Sequence, residues 1–416
     1  MKIGYFVWEY YPRLVGGLGT YAVEITQKFA EMGHEVVVFT LNTGDLKTRE
    51  EWRDIKIHRP MIVDTSQIFP LFITEDLRRW GTNLKLFCDI FSYNHLSASK
   101  FLNQLIKKEG ENFDVIAVHD WLSAISGIII KTEEPAMLPV VYHVHSTEEQ
   151  RSGGAGSEVV KHLERRMADD ADRIITVSYA MRDHLLSIGY PPNKIRVCWN
   201  GCNPENYDPK NVDETKVEEL RKHYGIKADE KVIFFIGRLT WVKGIQNLVQ
   251  AMPSILVDFP KTKLVVLGKG EQFDDLVALT KRLNIADKVI FDSKWVSEED
   301  RILHYAMSDV CVFPSLSEPF GIVSLEAMSM EKPVVVGARG ISGFTEQIIN
   351  TGPEKCGVHI NGNDPADIAW GVKEVFKNPE EAIKWGENGR RRVLQYFTWK
   401  KVAENAISIY KEVAKG

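Results

Sequence analysis

Residues 310–328 read VCVFPSLSEPFGIVSLEAM, and this stretch decides how the chain folds. Four apolar residues at 310–313 predict a short buried strand, a loop with Pro and Gly follows, and a helical pattern begins near residue 322. A strand that passes through a tight loop into a helix is the repeating unit of a parallel sheet with crossover helices. The stretch therefore predicts an α/β domain that binds its ligands at the carboxyl ends of its strands.

The same alternation extends from this stretch through the rest of the chain. Short runs rich in Val, Ile and Phe alternate with helical patterns. The predicted strands are 3–8, 36–39, 114–118, 140–142 and 173–177 in the first half, and 232–236, 264–267, 289–291, 310–313 and 334–336 in the second. The fold class is therefore α/β, with a doubly wound parallel sheet that is built twice.

A length of 416 residues also favours two domains of roughly 200 residues each. We predict a first domain at 1–200 and a second at 201–384, with 201–230 as a connector rich in charge and proline. The C-terminal residues, 385–416, are predicted to be helical. If the carboxyl edges of the two sheets face each other, the cleft between them is the expected site.

Composition excludes several classes of protein. A net charge of −5 argues against a nucleic-acid binder, which needs a basic face. Five scattered cysteines without a CxxC pair predict buried free thiols. The N-terminus reads as a strand, not a signal peptide, and no apolar run approaches the ~20 residues that span a bilayer. We therefore expect a cytoplasmic protein without a transmembrane segment.

Two carboxylates stand out in the opening stretch. Glu318 lies in the loop after the strand, and Glu326 lies about two helical turns later. Between them the backbone amides near Gly321 and Ile322 open a helix, where an anion or a sugar hydroxyl can bind. A purely structural interpretation would make Glu318 a helix-capping acid and Glu326 a solvent-exposed helix residue.

A second strand-to-helix loop, 237–244, carries two cations. Arg238 can fork across two phosphate oxygens, and Lys243 supplies a point charge. In the first half, Gly17 lies in a Gly-rich turn that lacks the spacing of a GxGxxG fingerprint or a P-loop.

Polar and aromatic residues also end two strands of the first half. Asp120 lies in His119-Asp120-Trp121, and the other segment holds His143 and His145. Such groups suit sugar hydroxyls. Because side chains alternate along a strand, only one of His143 and His145 is expected to face the site.

In this order the motifs resemble the GT-B retaining glycosyltransferases, namely glycosyltransferase family four and the glycogen (starch) synthases. The resemblance covers essentially the whole chain and is most specific in the second half. It implies two facing Rossmann-like domains, with C-terminal helices that cross back onto the first. It also implies hexosyl transfer, with retained configuration, from UDP-glucose or ADP-glucose to an α-glucan, a small sugar, a sugar phosphate or a lipid.

The resemblance assigns a role to each matching residue. Arg238 and Lys243 would hold the donor diphosphate, and Glu326 the ribose hydroxyls. Glu318, with the amides of Gly321 and Ile322, would hold the transferred sugar.

Four further positions complete the implied site. Gly17 would give an amide to the diphosphate, His145 would lie against the donor sugar, and Asp120 would meet donor or acceptor. The turn at Trp295 would lie beside the base. Two cations take the place of a metal, so no metal or separate cofactor is expected. Asn203 departs from the family's usual Asp.

Two other functional classes remain as alternatives. A nicotinamide-dependent oxidoreductase with two Rossmann domains needs a GxGxxG turn after the first strand, and this turn is missing. A nucleotide-binding partner protein without activity would be expected to have lost one of Arg238, Lys243, Glu318 and Glu326. The sequence leaves open the donor, the acceptor and whether the chain forms a homo-oligomer.

Overall fold

Buried strands and covering helices alternate along both halves of the chain in a computed structural model, which describes residues 1–68, 83–134, 138–294 and 296–414. The chain divides into two units, Met1–Trp199 with Trp399–Gly416, and Asn200–Thr398. Each unit is an α/β domain with its own sheet. No helix among the described residues is long and apolar enough to cross a bilayer.

The first unit contains an eight-stranded sheet in the order β3-β4-β2-β1-β5-β6-β7-β8. Every neighbouring pair is parallel except β3 and β4, which are antiparallel. Its strands are β1 (Lys2–Phe6), β2 (Glu35–Phe39), β3 (Arg49–Trp52), β4 (Ile55–His58), β5 (Val115–His119), β6 (Val140–Val144), β7 (Arg173–Thr176) and β8 (Ile195–Val197).

Helices of the first unit cover this sheet and present an apolar face to it. The described helices are α1 (Gly17–Glu31), α2 (Leu84–Ser99) with a π-helical continuation (Lys100–Lys108), α3 (Asp120–Glu133), α4 (Glu148–Ser152), α5 (Glu158–Asp170) and α6 (Tyr179–Ser187). In α1 the predicted stripe of Tyr21, Ile25 and Phe29 is buried. Gly33, just after this helix, has a φ of 81°, in the left-handed region that favours glycine.

The second unit contains a six-stranded, wholly parallel sheet in the order β11-β10-β9-β12-β13-β14. Its strands are β9 (Lys231–Ile236), β10 (Thr262–Leu267), β11 (Val289–Asp292), β12 (Val310–Phe313), β13 (Val334–Gly337) and β14 (Gly357–Ile360). The order changes direction between β9 and β12, so the loops after these two strands lie at the switch point where such sheets bind ligands.

Eight helices described in the second unit surround this sheet. They are α7 (Glu214–His223), α8 (Ile245–Asp258), α9 (Phe273–Arg282), α10 (Glu298–Met307), α11 (Ile322–Ser329), α12 (Phe344–Gln347), α13 (Pro365–Lys377) and α14 (Pro379–Tyr396). The expected apolar stripe of α8 is buried in the core between helix and sheet.

The C-terminal boundary differs from the predicted one. Residues 385–398 belong to the second unit, and only the last helix, α15 (Trp399–Lys411), belongs to the first. Close packing explains the difference, because a Cβ on Gly386 of α14 would lie 1.9 Å from the Glu331 carbonyl oxygen. The boundary near residue 200 lies within one residue of the prediction.

Four strands were not predicted: β3, β4, β8 and β14. β3 has the sequence REEW and lies at the edge of its sheet, where charged side chains replace the apolar signal. β8 is also an edge strand and has only three residues. All five cysteines are buried and free, as predicted.

Candidate functional site

The loops after β9 and β12 are joined at the carboxyl edge of the second sheet. The Leu316 amide donates a hydrogen bond of 2.8 Å to the Val242 carbonyl oxygen. Gly244 has a φ of 68°, and a Cβ there would lie 2.1 Å from the Pro314 carbonyl oxygen. Glycine is required at this position because the two backbones approach so closely. The joined loops hold the predicted cations of one motif beside the predicted carboxylate of the other.

Lys243 forms an ion pair with Glu318 across the joined loops. The Ser315 hydroxyl donates to the same carboxylate oxygen, Oε2, at 3.2 Å. The backbone of Glu318 is fixed as well, since its amide donates to Ile341 at 2.7 Å and its carbonyl accepts from Gly343 at 2.9 Å. Glu318 is therefore a buried, held carboxylate whose charge is balanced by one ammonium group.

Arg238 lies on the same loop as Lys243 but in a different environment. Its side chain is exposed and makes no hydrogen bond or ion pair with the residues that the structure describes. The planar guanidinium group is thus available to fork across two oxygens of an anion.

Helix α11 begins next to this pair of loops. Gly321 precedes it with a φ of 92°, and a Cβ there would lie 2.2 Å from the Phe344 ring. The amides at the start of α11, beginning with Ile322, have no acceptor within the helix. Both predicted residues therefore lie where backbone donors and the positive end of a helix dipole can bind an anion.

Glu326 is buried inside the second unit by a set of hydrogen-bond donors that the sequence analysis did not identify. Tyr305 donates to Oε2 at 2.7 Å, while Tyr207 and Arg301 donate to Oε1 at 3.1 and 3.4 Å. Burial raises the pKa of both tyrosines, and the Glu326 charge raises it further, so the hydroxyls stay protonated. Glu326 is only 5% exposed; its Oε1 already accepts two hydrogen bonds, whereas its Oε2 accepts one and can accept one more.

Trp295, expected beside the base, lies outside the described residues. Tyr207 lies in the segment that was interpreted as a plain connector, but that segment belongs to the second unit and contributes to the surroundings of Glu326. No local signal marks Tyr207, because its partner is more than 100 residues away.

In the first unit, Gly17 is the first residue of α1. The Glu9 carboxylate accepts hydrogen bonds from the amides just before it, those of Val15 at 3.1 Å and Gly16 at 3.0 Å. A Cβ on Gly17 would meet no described atom within 4 Å. The space beside this helix start is therefore open, and Glu9 is a carboxylate at the turn that the sequence analysis missed.

Asp120 has a structural role that the sequence analysis did not foresee. Its Oδ1 accepts hydrogen bonds from the amides of His145 at 2.7 Å and Ser146 at 3.4 Å. The residue is 5% exposed and has a φ of 51°, which is uncommon for a residue other than glycine. One oxygen of Asp120 thus holds the backbone just after β6 in place.

Three histidine side chains gather at this edge; His143 is buried and His145 partly buried, and the expectation that only one of the two faces the site stays a prediction. β6 ends at Val144, so His145 lies beyond the strand and escapes its alternation. Ligand atoms of His119, His143 and His145 lie within 4.8 Å of one another. His143 is buried. Its Nδ1 lies 3.4 Å from the Tyr21 hydroxyl, and its Nε2 lies 2.8 Å from the Tyr410 hydroxyl.

The histidine trio is neutral. Burial lowers the pKa of His119 and His143 well below 6.5 and that of His145 below 6.5. Neutral imidazoles can bind metals, and the ligand atoms of these three lie within 4.8 Å of one another. The expectation of a metal-free enzyme stays a prediction.

Comparison with known proteins adds the family. The model for "Glycosyltransferase Family 4" matches residues 15–206, and that for "Glycosyl transferases group 1" matches residues 216–392. An uncharacterized glycosyltransferase of Methanocaldococcus jannaschii is 33% identical over 425 residues, covering 99% of this chain and 98% of the relative.

Two further similar proteins are also sugar-transferring enzymes or bind a nucleotide sugar. A glycogen synthase of Mycobacterium tuberculosis is 27% identical over 428 residues, covering 100% of this chain and 96% of the synthase. The solved structure of Anabaena HepE in complex with UDP-glucose has a TM-score of 0.75 and 19% identity, covering 99% of this chain and 100% of that chain. The chain therefore belongs to glycosyltransferase family four and has the GT-B fold.

Proposed function

We propose that this glycosyltransferase moves a hexosyl group, with retained configuration, from a UDP- or ADP-sugar to a carbohydrate acceptor without using a metal. The observation that carries the proposal is the set of groups at the carboxyl edge of the second sheet. An exposed Arg238, the Lys243–Glu318 ion pair and the start of α11 all lie on loops that follow β9 and β12.

The leaving group of such a reaction is a nucleoside diphosphate. Arg238 offers a fork of N–H donors, Lys243 an ammonium group, and the start of α11 the amides of Gly321 and Ile322. Together these positive groups offset the charge that builds on the diphosphate as the bond to the sugar breaks. A metal ion commonly supplies this charge in phosphate chemistry, and two side-chain cations would replace it here.

Glu318 would act on the sugar itself. When Lys243 turns towards the diphosphate, the Glu318 carboxylate loses its cation and can accept a hydrogen bond from a sugar hydroxyl or stabilise positive charge at the anomeric carbon. The Ser315 hydroxyl and the fixed backbone would hold the carboxylate in place during this exchange. After the exchange Lys243 would be paired with the diphosphate, and Glu318 with a sugar hydroxyl or with the developing positive charge.

Glu326 would bind the ribose of the nucleotide. Tyr305, Tyr207 and Arg301 hold its carboxylate in one orientation, which reduces the entropy lost when a ribose hydroxyl donates to it. HepE was solved with UDP-glucose, which supports a nucleotide sugar as the donor.

We favour an α-glucan as the acceptor, because one of the relatives that match the whole chain is a glycogen synthase. Other relatives are named α-maltose-1-phosphate synthase and α-monoglucosyldiacylglycerol synthase, so a sugar phosphate and a lipid are the alternatives. Assays with glycogen, maltose, glucose 1-phosphate and diacylglycerol vesicles would separate these acceptors.

The experiment that tests the proposal is a turnover assay with UDP- and ADP-glucose in excess EDTA. We expect release of the nucleoside diphosphate at the same rate with and without EDTA, and an α-linked product by NMR. Strict dependence on added magnesium would contradict the metal-free diphosphate site, and a β-linked product would contradict retention.

A further inference from the structure

His119 is a completely buried residue at the end of β5 whose side chain has a single hydrogen-bond partner. Its Nδ1 lies 3.3 Å from Nε2 of His145, whereas its Nε2 is buried and has no partner among the described residues. The ring packs against Tyr5, with 4.3 Å between the ring centroids. A buried polar atom without a partner is costly and calls for an explanation.

Only one proton can lie between the two rings, because both imidazoles are neutral. If His145 donated this proton, His119 would carry its own proton on Nε2, where a buried N–H group would have no acceptor. If His119 donates from Nδ1, its Nε2 is a bare acceptor. Buried N–H groups without partners are the rarer of the two defects, so we take His119 Nδ1 as the donor.

The direction of this hydrogen bond fixes the tautomer of His145. Since Nε2 of His145 accepts, its proton must be on Nδ1. This Nδ1–H makes no hydrogen bond with the described residues, and His145 is only partly buried. Asp120 holds the His145 amide at 2.7 Å, and Tyr21 packs edge-on against the ring with 4.6 Å between centroids. The ring thus has one free N–H donor in a fixed place.

We propose that His119 is a positioning residue that keeps His145 in the Nδ1–H tautomer, so that His145 donates a hydrogen bond to a sugar hydroxyl of the bound substrate. The inference rests on the proposed function for its substrate class. His119 does not touch the substrate and acts through His145 alone.

The tautomer can be tested without any substrate. Selective ¹⁵N labelling of histidine in the full-length protein distinguishes protonated from bare ring nitrogens by NMR. We expect protons on Nδ1 of both His119 and His145 and a bare Nε2 on each. A proton on Nε2 of His119 or of His145 would overturn the proposal, whatever the enzyme transfers.

Kinetics of two His119 variants test the positioning role. In His119→Asn the amide group can still donate from near the Nδ1 position, whereas His119→Leu offers no donor. We expect the leucine variant to raise KM for the nucleotide sugar on the order of tenfold with little change in kcat, and the asparagine variant to stay within about threefold of the wild type. Affinity for the nucleoside diphosphate alone should not change.

His58→Leu is the matched control, because His58 is a buried histidine of the same unit that stacks on Phe39. It should lower the melting temperature without changing KM. If His119→Leu behaves like this control, or if the asparagine variant is as impaired as the leucine variant, the positioning role is wrong. If His119→Leu does not fold, the NMR result and the KM of the asparagine variant decide whether His119 positions His145. A wild type that turns over no nucleotide sugar would contradict the proposed function but not the tautomer.

Discussion

The carboxyl edges of the two sheets differ in chemical character. The edge of the first sheet holds neutral, mostly buried imidazoles and tyrosine hydroxyls in a hydrogen-bonded cluster, and the Asp120 carboxylate beside them is bonded to the backbone just after β6. The edge of the second holds charged groups, with Arg238 exposed and Lys243 paired with Glu318. One type of sheet therefore supports two kinds of site, and the loop residues decide which.

The difference shows what each edge can stabilise. Charged groups bind a diphosphate strongly and respond to the charge that builds on a leaving group. Neutral donors such as the free Nδ1–H of His145 discriminate among hydroxyls by geometry and add little net charge. Substitutions at the second edge should therefore change the rate greatly, and those at the first should act on affinity and on pH dependence.

The largest effect is expected when the charged pair of the second edge is broken. Lys243→Ala and Glu318→Ala should each lower turnover at least ~10²-fold, because each removes charge that is positioned for the transition state. The measurement is kcat with saturating UDP- or ADP-glucose. In the double variant the losses should not add, because the two side chains contact each other.

Lys261→Ala is the control for Lys243. Lys261 is an exposed cation paired with Asp229 just before β10 begins, so it lies at the opposite end of the strands. Its removal should leave kcat unchanged. Near-normal turnover in both purified variants, Lys243→Ala and Glu318→Ala, would refute the assignment of the second edge as the site of sugar transfer.

A smaller effect is expected for Arg238→Lys. The charge remains, but the planar fork that binds two phosphate oxygens is lost. We expect KM for the nucleotide sugar to rise on the order of tenfold, in line with the loss of one charge-assisted hydrogen bond. Arg282→Lys, at the exposed end of α9, is the control. Equal KM values for Arg238→Lys and wild type would show that the guanidinium group does not bind the diphosphate.

The smallest effect concerns the stability of the first edge in acid. As the pH falls below 6.5, His119 takes up a proton in the unfolded chain but not in the folded one, because burial lowers its folded pKa. Its contribution to the unfolding free energy is therefore full above 6.5 and decreases as the pH falls.

The measurement is urea denaturation of wild type and His119→Asn between pH 7 and 5. Relative to the variant, the wild type should lose up to about 1.4 kcal/mol of unfolding free energy per pH unit below 6.5. Parallel curves for the two proteins would mean that His119 is protonated in the folded protein, contrary to the structure.

Sequence reasoning found the second edge more completely than the first. The motifs around Arg238 and Glu318 each combine a strand, a loop that contains glycine and a helix start within about 15 residues, so local spacing is enough to place them. By contrast, Tyr410 reaches His143 from 267 residues away, and Tyr207 reaches Glu326 from 119 residues away. Such contacts depend on tertiary packing and leave no periodic signal in the sequence.

The same reasoning explains the errors in the fold prediction. Both sheets were expected because their central strands are short apolar runs, whereas charged or very short edge strands such as β3 and β8 were not. Strand alternation was applied to both His143 and His145, but the strand ends at Val144, one residue before His145. The family resemblance placed residues 385–398 with the first unit, whereas the sequence of α14 shows a helix but not what the helix packs against.

Binding of a diphosphate by the cations of the second edge can be measured without any turnover. Isothermal titration of UDP and ADP in excess EDTA, with wild type and the double variant Arg238→Ala/Lys243→Ala, tests it most directly. We expect the wild type to bind both nucleotides without metal, and the double variant to bind them at least about 10²-fold more weakly, because two charge-assisted contacts are lost. An unchanged Kd in the double variant would contradict this expectation.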